Sequence, residues 1–143
     1  MRPTIGLDGD DTLWHNETLF SMTQERFRAM LGEHVRGTEV DDRLLATERA
    51  NLRLFGYGIK GFVLSMIETA VEVTEGRIPA ADIHRLIEFG KEMLQHPVEL
   101  LDGVADTVEA LSAAGWDLIL VTKGDLFDQE SKFARSGLLA HFR

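Results

Sequence analysis

No cysteine occurs among the 143 residues. That one absence excludes disulfides, thiolate metal sites and cysteine nucleophiles together. No apolar run approaches the roughly 18–20 residues that a membrane-spanning helix needs. The short apolar run after Met1-Arg2-Pro3-Thr4 ends in acid at Asp8. It is too brief for a secretory leader and lacks a small-residue cleavage site, so a cytoplasmic location is the default expectation. His15, His34, His84, His96 and His141 are scattered, with no HExxH arrangement, which speaks against a zinc site. Positive charge is scarce: 15 Lys and Arg face 24 Asp and Glu, a formal net charge of −9. Proteins that grip a nucleic-acid backbone normally carry a basic surplus to displace its counterions. Neither nucleic acid nor a membrane is therefore expected as a partner. A small phosphorylated molecule stays open, because a divalent cation can screen carboxylates from phosphate. The chain has no internal repeat and no low-complexity segment.

Hydrophobic residues make up 44% of the chain, enough for one domain with a core, or a small domain carrying an insertion. Thr4-Ile5-Gly6-Leu7 reads as a short buried strand closed by the acidic loop Asp8-Gly9-Asp10-Asp11-Thr12. From about Thr18 to Gln95 the apolar spacing predicts four helices. The first is closed by Gly32, and the second follows a polar lead-in over Thr38–Asp42. The third is closed by Gly76, and the fourth has Pro79 in its first turn and stops at Pro97. Four helices on short connections predict a small bundle. Asp102-Gly103 then opens a short helix ended by Gly115. Trp116–Val121 reads as a strand in a sheet buried on both faces. Asp125 is placed to cap a last helix running through Ser136, with Gly137 just beyond. The fold class that follows is α/β, a Rossmann-like core with few parallel strands and an inserted α-helical bundle. Residues 1–15 with 98–143 form the partial core, and residues 16–97 form a helical cap.

Asp8 and Asp10 lie two apart, just past a strand end, where ligands gather in open α/β sheets. Two carboxylates so placed can divide the chemistry, one attacking phosphorus and the other handling the proton of the leaving group. Their charge and the substrate's call for magnesium, which prefers carboxylate and phosphate oxygens. Thr122 ends the other strong strand, and in a parallel sheet that end lies beside Asp8. Its hydroxyl, the charge of Lys123 and the close backbone approach allowed by Gly124 suit phosphate oxygens. Asp11 reads as solvent-facing or capping, Trp14 as core and His15 as surface. The glycine-rich stretch Gly56–Gly61 reads as a helix connector.

Asp8-Gly9-Asp10-Asp11-Thr12 after a short strand resembles motif I of the haloacid dehalogenase-like hydrolases, an Asp-x-Asp-x-Thr loop. Leu118-Ile119-Leu120-Val121-Thr122 resembles their motif II, and the helical block between is similar to their C1 cap. The resemblance spans the whole chain. It implies that Asp8 is a nucleophile forming an aspartyl-phosphate. Asp10 would be the general acid and then the base, with its main-chain carbonyl and Asp8 on Mg2+, and Thr122 would bind the transferring phosphoryl group. It also implies a motif III lysine and a motif IV acidic cluster, for which no later strand or acidic pair is present. Lys132 stands in the last helix with nothing in its neighbourhood to mark it as that lysine. The chain is accordingly expected to be C-terminally truncated and its site incomplete.

Asp10 favours phosphate-ester or phosphoanhydride hydrolysis over dehalogenation, since a departing halide needs no proton. The expectation is thus a Mg-dependent phosphatase acting on a small phosphorylated metabolite. The alternative is a non-catalytic fragment or homo-oligomerising module that uses the helical cap. A two-component receiver domain shares the acid pair, Thr and Lys, but has no room for the helical insertion.

Overall fold

The computed structural model describes the backbone of residues 1–143 and all side chains except those of residues 37 and 38. In chain order the elements are β1 (Thr4–Leu7), α1 (Glu17–Leu31), α2 (Gly37–Phe55), α3 (Ile59–Val73) and α4 (Ala80–Gln95). There follow α5 (Val104–Ala113), β2 (Asp117–Leu120), α6 (Leu126–Arg135) and a 3-10 turn at Leu139–His141. The chain divides into two compact units, Met1–Thr18 with Pro97–Arg143, and Leu19–His96. No helix among the described residues is long and apolar enough to cross a membrane.

In the first unit β1 and β2 pair in parallel, Thr4 opposite Asp117 and Leu7 opposite Leu120. Parallel strands cannot be joined by a tight turn and need a long crossover. Here everything from the acidic loop to α5 separates them. Val121 N donates to Leu7 O at 2.8 Å and carries the pairing one residue further. On the other side of β2, Arg143 N donates to Leu118 O at 2.9 Å. Leu13, Trp14, Val108, Leu118 and Leu138 form the buried centre, with Ile5, Leu7, Val104, Leu111, Trp116, Phe133 and Phe142 packed around it. Phe133 meets Phe142 edge-on at 4.9 Å, a preferred aromatic geometry.

The structure corrects the expectation that β2 is buried on both faces. Leu118 is fully buried, whereas Ile119 and Val121 are exposed. Successive strand residues point to opposite faces. The cluster that covers Leu118 therefore cannot cover its neighbours, and β2 is packed on one face only among the described residues.

The second unit holds α1–α4, mixed along their lengths so that one stripe of each faces inward. Its core comprises Phe27 and Leu31 from α1, Val40 and Leu44 from α2, and Ile59, Phe62, Met66 and Ala70 from α3. Ile78 and, from α4, Leu86, Phe89 and Met93 complete it. α4 lies so close to α3 that a Cβ at Gly90 would stand 2.4 Å from Val63 Cγ2. Arg26 of α1 stacks on the Phe89 ring at 4.0 Å and pairs with Glu92. Thr74 closes the α3–α4 turn: its hydroxyl donates to Ala70 O and accepts from Ile78 N. Three helix starts differ from expectation. α3 begins at Ile59, inside the glycine-rich stretch read as a connector. α2 begins at Gly37, so the polar stretch read as a lead-in is helical. Pro79 precedes the first turn of α4 instead of lying in it.

Candidate active site

The loop after β1 folds on a single carbonyl. Gly9 O accepts from Thr12 N at 3.1 Å and Leu13 N at 2.8 Å, and Asp11 N donates to Trp14 O at 2.7 Å. Residues 13–15 then pair with residues 99–101: His15 N donates to Glu99 O and Leu101 N to Leu13 O. This brings Trp14 under the loop, where it is buried. A Cβ on Gly9 would lie 2.7 Å from Trp14 Cζ2, so only glycine lets the loop sit on that ring. Asp11 adopts a left-handed φ of 59°. Its carboxylate accepts from Asn16 N at 2.9 Å and Glu17 N at 3.0 Å, so it satisfies free N–H groups at the start of α1. His15 is exposed.

The two carboxylates of the pair end up in different surroundings. Asp8 is exposed at the end of β1. The Thr12 hydroxyl donates to its Oδ2 at 3.4 Å, a long and weak hydrogen bond. Asp10 is held on both oxygens. Trp14 Nε1 donates to Oδ1 at 2.9 Å, Gln129 Nε2 to Oδ2 at 3.0 Å, and Lys132 Nζ lies 3.3 Å from Oδ1. Thr122 follows β2 by two residues and Asp8 follows β1 by one, on paired strands whose ends are in register. Adjacent strands lie about 4.8 Å apart, so the two loops are neighbours. The Thr122 hydroxyl donates to Lys123 O at 3.1 Å. Lys123 and Gly124 are exposed, and Gly124 has a φ of 113°, a conformation that suits glycine. Asp125 caps α6 by accepting from Asp128 N at 2.9 Å.

Sequence reasoning passed over Gln129 and Asn16 and found nothing around Lys132 to mark it, whereas the structure places Lys132 on Asp10 and Asn16. α6 buries Asp128, Gln129 and Lys132 while leaving Leu126 and Phe127 exposed. Lys132 Nζ also donates to Asn16 Oδ1 at 3.0 Å and stands 3.8 Å from Asp128 Oδ2. Removing one partner from such a buried ion group costs about 3–5 kcal/mol, because the other charge is left uncompensated. Gln129 Oε1 is buried with no hydrogen-bond partner among the described residues, a loss of about 1–3 kcal/mol. The amide cannot be turned to relieve it, because Asp10 offers only acceptors when ionised. The one signal in the sequence was the reversed polarity of α6, polar residues at helical spacing beside an apolar pair.

For a metal, the described residues contain no group of three or more His, Cys, Asp or Glu placed to bind one. The donors that the motif resemblance assigns are the Asp8 carboxylate and the Asp10 main-chain carbonyl. The Asp10 carboxylate is already committed to three donors. Two hard oxygens of this kind fit magnesium, which keeps several waters and takes few protein ligands.

Among solved structures, the chain is similar to a haloacid dehalogenase-like family hydrolase from Xanthomonas campestris. The identity is 49% and the TM-score 0.91, over 99% of this chain and 59% of that one. It also resembles the putative HAD-hydrolase YfnB from Bacillus subtilis bound to magnesium, at 20% identity and a TM-score of 0.63, over 100% of this chain and 64% of that one. A third likeness is to L-2-haloacid dehalogenase from Xanthobacter autotrophicus with chloropropionic acid covalently bound. There the identity is 15% and the TM-score 0.54, over 99% and 55% of the two chains. The latter two speak to the fold alone. The chain spans less than two thirds of the length of each. No family model matches the chain, and no curated protein matches it.

Proposed function

The chain belongs to the haloacid dehalogenase-like hydrolases, and on that premise we propose that the protein is a magnesium-dependent phosphatase of a small phosphorylated metabolite, working in the cytoplasm. The observation that carries this reading is the unequal treatment of the two carboxylates. Asp8 is exposed and loosely held, as an attacking group must be, while Asp10 is fixed on both oxygens. In this reading an Asp8 oxygen attacks phosphorus, the bond to the leaving oxygen breaks, and Asp10 supplies the proton that oxygen takes up. Water then attacks the aspartyl-phosphate while Asp10 accepts its proton, which returns Asp8 and releases phosphate. Thr122, Lys123 and Gly124 would bind the phosphoryl oxygens from the neighbouring strand end. Magnesium, held by the Asp8 carboxylate and the Asp10 carbonyl, would supply the positive charge that lets two anions meet.

A dehalogenase likeness is the competing reading, since one fold neighbour carries chloropropionic acid. Carbon–halogen cleavage releases an ion that needs no proton, which leaves the elaborate hold on Asp10 without a purpose. That asymmetry favours phosphate esters. In the full-length protein, Asp8→Asn is expected to lower phosphoester hydrolysis by at least about a thousandfold, as loss of a nucleophile does. The same preparation should release no halide from 2-haloacids. Full activity in Asp8→Asn would overturn the nucleophile assignment, and halide release would favour the dehalogenase.

A further inference from the structure

We infer that Lys132 and Gln129 are positioning residues that fix the Asp10 carboxylate for proton delivery to the leaving oxygen. This deepens the phosphatase reading and rests on Asp10 being the proton donor in it.

The geometry has three parts. First, both Asp10 oxygens are engaged from two directions. Trp14 and Lys132 hold Oδ1, and Gln129 holds Oδ2. A carboxylate held by one oxygen can swing about its last torsion, whereas one held by both keeps its plane. Second, Lys132 joins Asp10 to Asn16, so the acidic loop and the segment that follows it are both fastened to α6. Third, the arrangement carries a burden that packing alone does not require. A lysine and a glutamine are buried, and Gln129 Oε1 has no partner among the described residues, while Leu126 and Phe127 face solvent. Apolar side chains on the inner face would pack without that penalty. Fixing a proton donor within reach of its acceptor is what justifies it, since a displacement of about 1 Å can lower a rate about a hundredfold.

In the step concerned, a bond forms between Asp8 and phosphorus, the bond from phosphorus to the leaving oxygen breaks, and the proton moves from Asp10 to that oxygen. An alkoxide needs this proton; a nitrophenolate does not. The test is therefore kcat/KM, which reports phosphoryl transfer to the enzyme, measured in the full-length protein on a simple alkyl phosphate and on a nitrophenyl phosphate. Lys132→Met and Gln129→Leu should each lower the alkyl value by about 10- to 100-fold and the nitrophenyl value less than about 3-fold. Lys132→Arg should recover part of the alkyl loss. In an Asp10→Asn background neither substitution should lower the alkyl value further, because the group they position is gone.

Equal losses on the two substrates, or a full additional loss in the Asp10→Asn background, would overturn the inference and leave the pair a purely architectural role. Asp10→Asn alone separates the two levels. If it lowers both substrates equally, the reading of Asp10 as proton donor fails. If it shows the alkyl-selective loss and the α6 variants do not, only the positioning inference fails. Should Lys132→Met not fold, Gln129→Leu removes no charge and decides the matter by the same criteria.

Discussion

Asp11 combines two unusual features, a left-handed backbone and a carboxylate that reaches forward to the N–H groups of Asn16 and Glu17. Loss of a capping oxygen costs about 1 kcal/mol, and alanine has no side-chain hydrogen bond to offset the left-handed backbone, whose cost of about 1–2 kcal/mol Asp and Asn tolerate better. Asparagine retains an acceptor and tolerates that conformation. Asp11→Ala should therefore lose about 2 kcal/mol in urea unfolding and Asp11→Asn less than half as much. Equal stability for the wild type and Asp11→Ala would show that the cap does not hold α1. Capping was one of two readings the sequence offered for Asp11, because a short acid before a helix has few other uses, and Trp14 was legible as a core residue, though not its place under the loop. Lys132 was not legible. Lysine is almost never fully buried unless paired, and its partner Asp10 lies 122 positions away in the chain, so no local pattern marks the pair.

At the scale of elements, hydrophobic spacing located α1–α5 and both strands, because each of those helices turns an apolar stripe inward, whereas α6 was marked only by its Asp125 cap and the glycine beyond its end. α6 departs from the rule in burying polar residues, and β2 departs from the two-sided burial its composition suggested. Spacing reports where apolar residues recur, not whether a second layer exists to cover them. Gly90 shows a further limit. In mid-helix it reads as a weak point, and alanine there should gain about 1 kcal/mol of helix propensity. Yet an added Cβ would meet Val63 Cγ2 at 2.4 Å. Val63 is β-branched and in a helix, so its χ1 cannot easily turn away. Overpacking costs about 1–3 kcal/mol, and at this overlap the upper end applies. Gly90→Ala should lower stability by about 2 kcal/mol. Adding Val63→Ala should recover part of that loss, and a strictly additive double variant would refute the contact.

At the scale of the molecule, the interruption between the two strands was legible as an inserted block. The two separate apolar clusters are its physical consequence. One cluster is built wholly from residues of α1–α4 and Ile78, and the other from the sheet and the elements around it. The two tryptophans, Trp14 and Trp116, both belong to the second cluster, while four of the six α-helices form the first. Tryptophan fluorescence thus reports one core and far-ultraviolet circular dichroism mainly the other. Met66 is fully buried on α3, and truncating such a side chain costs about 2–5 kcal/mol. Met66→Ala should move the dichroism transition to lower denaturant by an amount in that range and leave the fluorescence transition close to its wild-type midpoint. Coincidence of probes is the mark of a single cooperative unit. If both transitions shifted together in this variant, the two cores would unfold as one, and the helical block would be an integral part of the core domain and not an insertion with a stability of its own.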